Sequence, residues 1–109
     1  MKANYLRSEL LGLMQYAEEA SEAAELAVVD AVSEKQYAID KDKETWYGRI
    51  LFDEMSTKYI RHNIHISVKQ DHLSELNTLK FSIQTAIDTN ADMVTLNNRD
   101  MKLLSMYGH

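Results

Sequence analysis

The 109-residue chain has no cysteine, no proline and only three glycines, and it contains no long uncharged apolar run. Without cysteine there is no disulfide framework, no thiolate nucleophile and no Cys-based zinc or iron–sulfur site, and a cytoplasmic, reducing setting is expected. Nothing approaches the roughly 18 consecutive apolar residues of a membrane span. Met1-Lys2-Ala3-Asn4 leads toward Glu9 rather than into a signal-peptide core, so a chain with no membrane contact is expected. Sandwiches and α/β units need glycine and proline at their turns. With only Gly12, Gly48 and Gly108 to supply them, the expected class is all-α or nearly so: a small helical bundle in a single domain, residues 1–109. There is neither a glycine-framed nucleophile elbow nor a glycine-rich phosphate loop, which excludes serine-hydrolase and P-loop chemistry.

What the chain does have is helical periodicity. From Leu6, apolar residues recur at Leu10, Leu13, Ala17, Ala20, Ala24, Ala27 and Ala31 in alternating four- and three-residue steps, which predicts one long N-terminal helix over 4–39. Small seam residues let a facing helix come close, so the tightest contact is expected in the alanine-rich C-terminal half, where Ala24→Leu should do more damage than Leu10→Ala. Asp40-Lys41-Asp42-Lys43-Glu44 reads as a solvated hinge before a second helix over 43–63, with Trp46, Ile50, Leu51, Met55 and Tyr59 inward and Gly48 closely packed. Ile64, Ile66 and Val68 then alternate with His65, Ser67 and Lys69. That is the period of a short strand or extended connector, and residues 93–96 are the candidate to pair with 64–68. Asp71 is placed to cap a third helix carrying Leu73, Leu76, Ile83 and Ile87, and Asn90 to end it in a left-handed conformation. A last helix from residue 97 turns Met101, Leu103 and Leu104 inward and stops at Gly108.

The formal net charge of −5 is concentrated at one end: residues 1–40 hold eight acids against three bases, while residues 41–109 hold nine of each. Between Ser8 and Glu34 there is no lysine or arginine, and Glu18, Glu22 and Glu25 share one helix face opposite the alanine seam. Such a face is either simply solvated, or a carboxylate cluster for a metal, or an acidic surface that meets a basic partner. Bases scattered singly make no phosphate-binding stripe, so direct nucleic-acid contact is not expected. The stretch Leu26-Ala27-Val28-Val29-Asp30-Ala31-Val32 is apolar nearly all round and needs cover on more than one side, from a larger bundle or from a partner chain. The partner-binding residues expected are therefore Glu18, Glu22, Glu25, Leu26, Val29 and Val32, with a homo-oligomer, most simply a homodimer. The reading that follows is a small acidic helical protein-interaction module, a regulator or inhibitor of the phage or accessory type, that works by binding a protein partner.

One enzymatic alternative stands beside it. Glu18-Glu19-Ala20-Ser21-Glu22, followed by Asp53-Glu54-Met55-Ser56-Thr57, resembles the paired acidic helix motifs of the all-α MazG-type nucleoside triphosphate pyrophosphohydrolases. The resemblance implies Mg²⁺ held by Glu19, Glu22 and Glu54, since that ion takes near-octahedral oxygen ligands and bridges substrate phosphates. The family's final aspartate is replaced here by Thr57. His62, His65 and His72 place imidazoles three and seven residues apart. A structural zinc needs four nitrogen or sulfur ligands, and no fourth is evident, so hydrogen-bonded histidines are expected instead.

Overall fold

The computed structural model describes residues 3–44 and 59–108. Among them are a short strand β1 (Asn4–Leu6), a single 3₁₀ turn (Arg7–Glu9), a long helix α1 (Leu10–Lys43), a second long helix α2 (Ile60–Asp88), a strand β2 (Met93–Thr95) and a short helix α3 (Asn98–Tyr107). The protein is all-α with one minor two-stranded antiparallel sheet, in which Tyr5 stands opposite Val94 and Leu6 opposite Met93.

α1 and α2 form an antiparallel hairpin. The Tyr59 hydroxyl donates to the Asp42 carboxylate, and Lys80 Nζ donates to Ser21 Oγ at 3.2 Å. These two cross-links lie the same number of residues apart on each helix, so the register holds along the pair. At about 1.5 Å per residue, the 34 residues of α1 span about 51 Å, most of the 63 Å long axis of the particle.

The predicted seam is the buried face of α1: Leu10, Leu13, Ala17, Ala20, Ala24 and Ala31 are all buried, while Ala27 is half-buried and Leu6 is exposed. Leu76, Leu79 and Ile83 of α2 fill the groove above the alanines, and Leu96, Leu103 and Leu104 close the third side. Burying each of these large side chains contributes about 1.5–3 kcal/mol. α3 covers only the half of the hairpin next to the sheet. Among the described residues, the contiguous core runs along α1 from Leu10 to Ala24.

Several boundaries differ from the sequence expectation. The first helix begins at Leu10 because residues 4–6 pair with β2. Arg7 N–H continues this ladder by donating to Asp92 O at 3.0 Å, and Leu96 N–H does so by donating to Ala3 O at 2.7 Å. The Arg7 guanidinium fastens the same corner, donating to Asn90 O at 2.8 Å and to the Asp92 carboxylate at 2.5 Å. Asp40 to Lys43 continue α1 rather than forming a hinge.

Residues 64–68, expected as strand or connector and as the partner of 93–96, lie inside α2, and β2 pairs with β1 instead. On a helix, Ile64 and Val68 fall on one outward line and are exposed, while Ile66, turned roughly 200° from each, is half-buried. Packing against α1 overrides the β preference of the branched side chains. Asp71 is mid-helix and caps nothing. Asn90 does hold the left-handed conformation (φ 54°), and Asn97 caps α3 by accepting from Asp100 N–H at 2.7 Å. The expectations for Trp46, Gly48, Ile50, Leu51 and Met55 lie outside the described residues.

Candidate interaction surface

Glu18, Glu22, Glu25, Val29 and Val32 succeed one another at four- and three-residue steps, which on a helix is a single line. α1 presents that line on its outer flank, most of a half-turn round from Tyr16, the side chain that packs against the end of α3. All five residues are exposed, as is the neighbouring Leu26. The apolar members are open to a degree that matters: Leu26 is 65%, Val29 58% and Val32 46% exposed. The chain's own described helices do not provide the cover that this stretch calls for.

The acidic part of the line is equally open. Among the described residues, no cation pairs with Glu18, Glu22 or Glu25. Like charges at these spacings cost an isolated helix about 0.2–0.5 kcal/mol per pair, a repulsion that a basic partner would relieve. Where the line meets the hairpin seam, Ser21 is buried. Its hydroxyl donates to Glu18 O at 2.9 Å and accepts from Lys80, so the backbone beneath the glutamates is tied to α2.

Glu19 and Glu22, the α1 members of the alternative magnesium set, are both exposed and both turned away from α2; Glu54 lies outside the described residues. Among the described residues, no group of three or more His, Asp or Glu side chains is placed to hold a metal ion. The three histidines do not converge. His65 is exposed and His62 half-buried, whereas His72 is buried with Nδ1 2.6 Å from the Tyr107 hydroxyl. Burial pushes the His72 imidazole below its ordinary pKa, and the positive charges of Arg99 and Lys69 add to the effect. The Tyr59 phenol is pushed up to about 12, first by its hydrogen bond to the Asp42 carboxylate.

Two features escaped sequence reading. A second exposed apolar line, Ile60, Ile64 and Val68, runs along α2; its helical step was present in the sequence but masked by the period-two alternation of the same residues. The His72–Tyr107 contact joins residues 35 positions apart and has no local signal.

No helix among the described residues is long and apolar enough to cross a membrane. No protein-family model, curated protein or solved structure matches this chain.

Proposed function

We propose that this protein is a non-catalytic interaction module that binds a protein partner through the outer flank of α1. The observation that carries the reading is the continuity of one helix line from acidic to apolar. Glu18, Glu22 and Glu25 run directly into Val29 and Val32, and all are solvent-exposed on a rigid two-helix frame. Apolar surface of this kind gains about 25 cal/mol for each Å² removed from water, while the adjoining carboxylates select a basic rim and speed encounter. The simplest form is a homodimer through Leu26, Val29 and Val32, since a two-fold contact needs only one self-complementary stripe. Such a dimer leaves the glutamates of both chains free for a basic target. Acting by occupying its target's surface, the module would serve as a regulator or inhibitor in the cytoplasm.

Light scattering of the full chain at micromolar concentration tests the dimer. Twice the chain mass is expected, and Val29→Lys with Val32→Lys should return a monomer of unchanged helicity, because both side chains are exposed and neither belongs to the described core. A wild-type monomer across that range would remove the self-association reading. Reversing Glu18 and Glu22 to Lys should slow capture of a basic partner and weaken its salt dependence while leaving the fold intact.

A further inference from the structure

The end of α3 is held to the hairpin by a small polar cluster built around one buried histidine. Tyr107 is the last residue of α3, and its hydroxyl lies 2.6 Å from His72 Nδ1, with the two rings edge to face at 5.5 Å. Lys69 Nζ stands 5.6 Å from the centre of the Tyr107 ring. One turn along α2, Glu75 accepts from Arg99 Nε at 2.8 Å. The groups acting on the imidazole are Lys69, Asp71 and Glu75 from α2 and Arg99 and Tyr107 from α3; α1 contributes Tyr16, against the adjoining Gly108.

We propose that His72 is an acid-sensitive latch, whose protonation loosens the last turn of α3 from the α1–α2 hairpin. In the neutral ring, Nδ1 donates or accepts in the bond to Tyr107 according to tautomer; the imidazolium can only donate, so the hydroxyl must turn its own proton elsewhere. The new charge is buried and joins Lys69 and Arg99, two cations already at the site. Glu75 offsets it only in part, because its carboxylate is committed to Arg99.

The sign follows from linkage. The folded state holds His72 below its ordinary value, so the unfolded or undocked chain binds the proton more readily. The stability of the docked turn is therefore complete above the ordinary histidine pKa of about 6.5 and is lost as pH falls toward the lower folded-state value. Leu103 and Leu104 remain in the core, so the opening is confined to the turn that carries Tyr107 and Gly108.

The test is amide hydrogen exchange on the full chain at pH 7.5 and 5.0, expressed as protection factors so that the intrinsic pH dependence of exchange cancels. Protection of the Gly108 amide, which donates to Leu104 O at 2.7 Å, and of its neighbours in the last turn should fall several-fold at pH 5.0. Amides around Ala24 and Leu76 should keep theirs. His72→Gln should abolish the pH dependence. Lys69→Gln, at a half-buried position outside the core, should shrink the loss by removing one of the two cations, and it keeps the test decisive if the histidine variant fails to fold. Equal protection at both pH values in the wild type, or an undiminished loss in either variant, overturns the proposal.

Discussion

Gly108 lies flat against the ring of Tyr16: a methyl group added there would stand 2.6 Å from Tyr16 Cζ and 2.7 Å from the Leu104 carbonyl oxygen. The ring can swing, but the carbonyl belongs to the final turn of α3 and accepts the Gly108 N–H. Gly108→Ala is therefore expected to destabilise by about 1–3 kcal/mol, as overpacking does. Urea denaturation checks this, and an unchanged midpoint would mean that α3 does not end against Tyr16.

Gly12 stands in the opposite situation. It is exposed near the start of α1, nothing lies within 4 Å of the place its Cβ would occupy, and its φ is not positive. Gly12→Ala should stabilise by up to about 1 kcal/mol, because alanine gives up less backbone freedom in a helix. A thermal melt would show it, and a lowered midpoint would contradict the helical state of this turn.

Leu10 and Ala24 mark the two ends of the contiguous core, with 1% and 0% exposure. Leu10→Ala should cost about 2–5 kcal/mol by opening a cavity among packed neighbours. Ala24→Leu should cost about 1–3 kcal/mol by forcing α1 and α2 apart. The expected order, Leu10→Ala the worse, reverses what the seam alone implied, because the sheet and α3 enclose the Leu10 end on further sides. Denaturation midpoints of the two variants compare them directly.

The magnesium alternative makes a separate prediction. With Glu19 and Glu22 both facing away from α2, millimolar Mg²⁺ is expected to leave the melting temperature unchanged, since an ion that binds only the native state must raise it. A thermal shift removed by Glu22→Gln and by Glu54→Gln, with pyrophosphate release from nucleoside triphosphates, would favour the enzymatic reading over the interaction module.

The helical class, the buried stripe from Leu10 through Ala31, the left-handed Asn90, the start of the last helix near residue 97 and its stop at Gly108 were all legible in the chain. Each rests on local chemistry: periodicity over neighbouring turns, or a residue that tolerates positive φ. The openness of Leu26, Val29 and Val32 was half legible. Their crowding on one helix showed that cover was needed, but only the position of α3, on the far flank and over the other end of the hairpin, decided that the described helices leave them bare. Residues 4–6 read as helix and 64–68 as a short strand or extended connector because each matched a local pattern, and long-range partners outweighed both. β2, nearly ninety residues away, captures the first segment into a ladder with its backbone groups paired, and α1 supplies the second with a helical seam longer than a strand could use. His72 shows the limit most plainly. Its burial and its bond to Tyr107 exist only because α3 folds back across α2, and no spacing within either helix encodes that meeting.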